Sequence, residues 1–272
     1  MREFIVMCAP NGARRTRRDH PALPLTPDEL AACARSICDV GASMIHVHVR
    51  DDTGGHTLDA GRYRDAIAAI RAATGDDLVI QVTTEACGLY SQAEQLALVR
   101  ELKPEAVSVA VGEICPGEDA LEDAAPFYAW LRDEGVMAQH ILYSPADVIR
   151  FESLRADGVI PDERPFVLFV LGRYASNLTG DVADLASFVA AAADDTTWSV
   201  CCFGKTEQAG VEASAATGGH ARVGFENNLL LPNGSVADDN AALVRLAVDA
   251  GRAAGRDPAT AAEVREMFGT AV

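Results

Sequence analysis

A chain of 272 residues that is 49% hydrophobic and 23% charged can bury a sizeable core, which excludes a disordered segment and a minimal domain. Its net charge of -17 repels phosphate backbones and argues against nucleic acid as a partner. Seven cysteines without a C-x-x-C pair or a preceding signal peptide read as core thiols of a reducing cytoplasm, and the longest apolar run, Phe166 to Leu171, is far short of a membrane span.

Taken in order, Phe4 to Cys8 reads as a buried strand, followed by an arginine-rich loop, Asn11-Gly12-Ala13-Arg14-Arg15-Thr16-Arg17-Arg18. Thr26-Pro27-Asp28-Glu29 opens a helix with an N-cap, a proline in the first turn and a capping glutamate, and Gly41 ends it after about Val40. The strand Met44-Ile45-His46-Val47-His48-Val49 follows at once, then a turn at Asp51 to Gly55. Asp59 caps a second helix, in which Tyr63, Ala66, Ile67 and Ile70 share one face.

The alternation then repeats. Strands are expected at Leu78 to Val82, Ala106 to Val111, Val136 to Tyr143, Phe166 to Leu171, Trp198 to Phe203 and Ala221 to Phe225. Between and after them, helices are expected at Ser91 to Leu102, within Asp119 to Glu134, and at Pro145 to Ala156, Asp181 to Ala193, Thr206 to Ala216 and Asp238 to Ala253. A last short helix follows Pro258. Eight strands, each followed by a helix, predict a (β/α)8 TIM barrel, with residues 1–272 forming one domain. A doubly wound sheet would need a glycine-rich first turn, which is absent.

In a barrel of this kind the chemistry gathers at the carboxyl ends of the strands. His46 and His48 alternate with β-branched residues, so both imidazoles leave one face of the second strand, where two neutral nitrogens can converge on a metal ion. Glu226 stands at a matching height after strand eight, two places away round a closed barrel. Two His and one Glu form an open zinc set. The bland readings are a pair of core histidines and an ordinary Arg222–Glu226 ion pair.

His46-x-His48-x-Arg50-Asp51 together with Gly219-His220-x-Arg222-Val223-Gly224-Phe225-Glu226 resembles the β-keto acid cleavage enzymes, the family of the 3-keto-5-aminohexanoate cleavage enzyme. The likeness extends over nearly the whole chain, including Pro21 to Pro27. It implies a zinc-dependent barrel, usually a homotetramer, exchanging acyl groups between a β-keto acid and acetyl-CoA to give acetoacetate and a new acyl-CoA. By position, His46, His48 and Glu226 would hold the metal. Arg222 would orient a carboxylate and stabilise developing negative charge.

The chain also departs from the family pattern. Asn227 stands where family members usually carry Asp after the metal glutamate. Gln139 to Tyr143 lacks the carboxylate common on the fifth strand. Thr83-Thr84-Glu85-Ala86 replaces a Thr-Gly-Gly segment, and Glu113 follows strand four where small residues are common. The acid–base role therefore passes to Glu85 or Glu113, or else the barrel binds metal and ligand but catalyses another reaction or none. A working enzyme is preferred because the metal set is complete. Arg222, Glu85, Glu113 and Asn227 form the expected catalytic group; Asn11, Arg14, Thr84 and Ser108 are expected to bind substrate.

If one arginine of the first loop points inward, Arg14 is the choice, and its guanidinium would select a dicarboxylic β-keto acid. Gly204-Lys205-Thr206 is not a Walker motif, because Ser199 occupies the position of the upstream glycine. Gly204 and Lys205 are nonetheless placed to hold a coenzyme A phosphate at the start of a helix. The runner-up enzyme class is an amidohydrolase-type hydrolase, for which His140 could supply a strand-five ligand. The non-enzymatic class is a metal-dependent metabolite-binding barrel.

Overall fold

A computed structural model describes residues 3–269; residues 1, 2 and 270–272 of the expected domain lie outside the described residues. Eight parallel strands close into a barrel in sequential order. They are β1 (Val6–Cys8), β2 (Met44–Val47), β3 (Val79–Thr83), β4 (Ala106–Ala110), β5 (Met137–Leu142), β6 (Phe166–Leu171), β7 (Thr197–Cys202) and β8 (His220–Val223). The seam pairs Arg222 with Met7 and Met7 in turn with Met44, so β1 lies between β8 and β2.

Eight helices cover the barrel: α1 (Pro27–Cys38), α2 (Ala60–Thr74), α3 (Gln92–Leu102), α4 (Leu121–Asp133), α5 (Pro145–Ala156), α6 (Leu185–Ala191), α7 (Glu207–Thr217) and α8 (Asn240–Ala253). Strands buried on both faces must be apolar throughout, and Phe166–Leu171 is buried at every position. Helix starts follow local chemistry. Thr26 with Glu29, and Ser91 with Glu94, form reciprocal capping boxes, and Asp59, Ser144 and Asp239 cap α2, α5 and α8. The short helix after Pro258 is Ala261–Phe268. No helix among the described residues is long and apolar enough to cross a membrane.

Four local expectations are corrected. The first strand is split: Glu3–Phe4 pairs with Asp257–Pro258 outside the barrel, and only Val6–Cys8 enters it, because the Ile5 amide donates to His220 Nδ1 at 3.0 Å. The second barrel strand stops at Val47, and Val49–Arg50 turns into an antiparallel pairing with His56–Thr57. Helix α1 ends at Cys38 rather than near Val40, with Asp39 as its cap. The expected helix from Asp181 is a 3-10 turn followed by the shorter α6. A helical turn that the sequence reading left out, Val111–Ile114, follows β4 and carries Glu113.

Candidate active site and metal centre

His46 ends the interior face of β2, and His48 lies just beyond it with its ring on the same side. Their Nε2 atoms stand 3.1 Å apart. The turn after β8 brings in Glu226, whose Oε2 lies 3.6 Å from His46 Nε2 and 3.3 Å from His48 Nε2. Bond lengths of about 2.0–2.1 Å in a tetrahedral zinc site require ligand atoms about 3.4 Å apart. The triangle has that size.

The donor chemistry fits a cation as well. Burial lowers the His46 pKa to about 3, so its imidazole is neutral, and its Nδ1 faces Gln81 Oε1 at 2.8 Å. Burial alone would raise the Glu226 carboxyl; Arg222, His48 and His46 override that and hold it well below the usual carboxylate range. Glu226 Oε2 is buried with no hydrogen-bond donor. Two imidazole nitrogens and an ionised oxygen thus converge within 3.6 Å of one another, an arrangement a metal ion would complete.

Close packing fixes this corner. Gly12 has φ +60°, and a Cβ there would lie 2.5 Å from Glu226 Cγ, so the first loop passes Glu226 only as glycine. Gly224, with φ +127°, lets the β8 turn hug Ala9 O, which also accepts from the Glu226 amide at 3.0 Å. Asn11 is spent on the backbone: Nδ2 donates to Pro24 O and His48 O, both at 2.9 Å. It braces the His48 segment and has no amide hydrogen left for a substrate.

Arg222 is buried and donates through Nη2 to Glu226 Oε1 at 2.8 Å and Asn227 Oδ1 at 3.3 Å. Its Nε and Nη1 are buried without partners among the described residues. Asn227 in turn donates to Arg222 O at 3.3 Å, so it holds the arginine from both ends. His46, Arg222 and Glu226 share one pocket with Thr84, Glu85, Ser108, Glu113, Tyr143, Arg173 and Phe203. The space between these side chains, its open mouth included, is about 410 Å³.

The model of the beta-keto acid cleavage enzymes matches residues 3–270. The chain belongs to the beta-keto acid cleavage enzyme family. It is similar to a 3-keto-5-aminohexanoate cleavage enzyme of Fusobacterium nucleatum, at 30% identity over 98% of both chains. It also resembles a 3-oxoadipate:acetyl-CoA acetyltransferase of Cupriavidus necator, at 26% identity over 97% of this chain and 94% of that one. The apo structure of ObcA shares the fold, with a TM-score of 0.75 at 18% identity, over 93% of this chain and 66% of that chain. Spanning about two thirds of ObcA, this beta-keto acid cleavage enzyme matches its curated relatives along nearly their full length.

Within this family member, the two candidate bases have different surroundings. Glu85 Oε1 is gripped by Arg14 Nη1 at 2.8 Å and Arg173 Nη2 at 3.3 Å. Among the described residues Glu113 forms no ion pair. Its Oε2 accepts from the Ala86 amide at 3.1 Å, and Gln95, with its amide nitrogen turned inward, adds a donor at 3.2 Å; burial raises its pKa. Thr84 Oγ1 is committed to Ser108 O at 3.0 Å, whereas Ser108 Oγ is buried and unpartnered.

Arg14 sits on the rim with its side chain 54% exposed; the arginine that joins Arg222 in lining the pocket is Arg173, at 20%. Arg173 lies outside the first loop and was missed in the sequence, although its place just after β6 was a usable signal. Gln81 and Gln139 were also missed; polar residues inside strands otherwise apolar were the signal. Lys205 is exposed in the turn before α7 and does not line the pocket, and Gly204 is held by its amide to Asn227 O at 3.1 Å.

His140 points out of the barrel, 4.7 Å from the Phe151 ring centre and 3.4 Å from Asp162 through Nε2. It is therefore no strand-five ligand, and the amidohydrolase constellation is not assembled.

Glu207, fully buried in the first turn of α7, receives Gly224 N and Asn228 Nδ2 and so supports the turn that carries Glu226. Burial pushes its pKa up from 4.5 to about 8. Between those values the folded state binds the proton more tightly than the unfolded chain. Its contribution is thus complete below about pH 4.5 and is lost as pH rises through about 8. Thermal denaturation should show a loss of stability over that window in the wild type and a shallower one in Glu207→Gln.

Proposed function

We propose that this chain is a zinc-dependent acyltransferase that cleaves a β-keto acid against acetyl-CoA, releasing acetoacetate and the acyl-CoA of the remaining fragment. The carbon between the keto and carboxyl groups bonds to the acetyl carbonyl as the acetyl–sulfur bond breaks. The coenzyme A thiolate so released then adds to the keto carbon, whose bond to the two-carbon carboxylate unit breaks to leave acetoacetate and the new acyl-CoA. The observation that carries the reading is the His46–His48–Glu226 triangle beside the unpartnered Nε and Nη1 of buried Arg222. Zinc held by those three residues supplies Lewis-acid polarisation of the keto oxygen.

The protein groups do the rest. Arg222 offers its free donors to the substrate carboxylate and stabilises charge that develops on oxygen. Ser108 Oγ adds a neutral donor. Glu113 takes the proton from the carbon between the keto and carboxyl groups and returns it to the same carbon of the departing acetoacetate, a task suited to a half-buried carboxylate that forms no ion pair among the described residues. Glu85, saturated by two arginines, is the poorer base. Asn227 positions Arg222.

At the far end, Arg173 uses only Nη2 on Glu85, while its Nε and Nη1 have no protein partner among the described residues. Its guanidinium lies 5.6 Å from the Phe203 ring centre, which keeps it directed along the pocket wall. Those donors suit a second carboxylate on the β-keto acid. Lys205, exposed in the turn after β7, supplies charge for a coenzyme A phosphate outside the pocket. Seven unpaired cysteines support a reducing cytoplasm, and the family resemblance, together with exposed Ile149, Tyr174 and Leu178, supports a homotetramer.

The test is incubation of zinc-loaded protein with acetyl-CoA and acidic, neutral and basic β-keto acids, with acetoacetate as readout. The expected result is preference for a dicarboxylic acid. Arg173→Ala should lower kcat/KM on that substrate by about 10- to 100-fold, the worth of a charge-assisted hydrogen bond, and on a neutral acid by less than about 3-fold. Silence across the panel overturns the reaction; equal losses on both substrates overturn the role of Arg173.

A further inference from the structure

Four fully buried polar side chains form a line through the barrel interior. Ser199 Oγ on β7 donates to Val167 O on β6 at 3.4 Å. Gln139 Nε2 on β5 donates to Ser199 Oγ at 3.0 Å, and Gln81 Nε2 on β3 donates to Gln139 Oε1 at 3.2 Å. Gln81 Oε1 then meets His46 Nδ1 at 2.8 Å. None of the four is more than 1% exposed, so water cannot replace a missing partner.

The line has a direction. A backbone carbonyl can only accept, which commits the Ser199 proton to Val167 and leaves the serine lone pairs to Gln139. The Gln139 amide must then present nitrogen to Ser199 and oxygen to Gln81. The same constraint passes through Gln81, whose oxygen is left facing His46. A carbonyl oxygen there requires a proton on His46 Nδ1, so Nε2 is bare and aimed at His48 and Glu226. Were either amide turned over, two donors or two acceptors would meet in the core, and His46 would carry its proton toward the other ligands.

We infer that Gln139 and Ser199 are positioning residues that fix the tautomer of His46, through Gln81, from the opposite side of the barrel. The strand-five position that lacks the family's carboxylate segment thus carries a different duty in this chain. The inference rests on the metal reading of His46, His48 and Glu226, but the tautomer is measurable without metal.

The experiment has two readouts: zinc affinity by competition with a chromogenic chelator, and the ring-nitrogen NMR shifts of His46 in metal-free protein. In the wild type the shifts should report a protonated Nδ1 and a bare Nε2. Gln139→Leu should weaken zinc binding by up to about 10-fold, the low end of what loss of a direct outer partner costs, because Gln81 remains but is no longer oriented, and should give mixed tautomers. Ser199→Ala should move both readouts the same way by less, and Ser199→Thr, which keeps the hydroxyl, should match the wild type.

If Gln139→Leu does not fold, Ser199→Ala against Ser199→Thr decides. Unchanged tautomer and affinity in folded Gln139→Leu or Ser199→Ala overturns the inference. A wild type that binds no zinc but shows the fixed tautomer overturns the metal reading and leaves the relay standing.

Discussion

Glu226→Gln is expected to abolish tight zinc binding and to lower kcat/KM for β-keto acid cleavage by on the order of 1000-fold, about 4 kcal/mol of transition-state stabilisation. The amide keeps the shape of the side chain but loses the anionic ligand oxygen 3.3 Å from His48 Nε2. It also leaves Arg222 as a buried charge without its counter-ion, a loss of about 3–5 kcal/mol in stability. His48→Ala separates the two effects, because it removes a ligand and leaves the Arg222–Glu226 pair intact. Both variants should lose zinc on dialysis and lose turnover, whereas only Glu226→Gln should show a large fall in melting temperature measured without metal. A His48→Ala protein that keeps zinc and activity would dismiss the three-ligand centre.

Glu113→Gln should reduce kcat by about 100- to 10,000-fold with little change in zinc content, the range expected when a positioned base is removed. The pH profile carries the more specific information. A base works ionised, and burial raises the Glu113 pKa. Activity of the wild type should therefore fall as pH drops, at a pH raised relative to that of an exposed glutamate, and the residual activity of Glu113→Gln should lack that acid limb. Glu85→Gln should behave differently, with a change mainly in KM, because its carboxylate already serves Arg14 and Arg173. The opposite pattern would assign proton transfer to Glu85.

The parts of this molecule legible in its sequence are those set by local chemistry. Thr26-Pro27-Asp28-Glu29 encodes a helix start within four residues, and the capping box forms as expected. Phe166–Leu171 is a strand because a run of apolar residues buried on both sides has no other outlet. His46 and His48 share a face by the twofold period of a strand, and strand counting placed Glu226 two strands away, where it lies. What stayed hidden depends on partners distant in sequence. Nothing within Phe4–Cys8 announces that the Ile5 amide goes to His220, which splits the strand.

Asn11 reads as a loop residue free to meet a ligand until Pro24 O and His48 O are seen to take both of its hydrogens. The arginine of the first loop was singled out for its composition, yet Arg14 is drawn to the rim by Glu85, and Arg173 takes the interior place. Gln81 and Gln139 are polar anomalies in apolar strands, and only their mutual register, through β4, turns them into a relay.

The placement of the ligands on either side of β1 bears on how the protein is made. A chain emerging from the ribosome delivers His46 and His48 early and Glu226 only with its last barrel strand. Until then the pair is a weak, exposed chelate with no carboxylate and no Arg222 behind it. On the proposed metal reading, the three-ligand site comes into being only when β8 docks on β1, which would couple acquisition of the ion to completion of the ring. Metal loading would act as a checkpoint on assembly, marking the chains whose two ends have met.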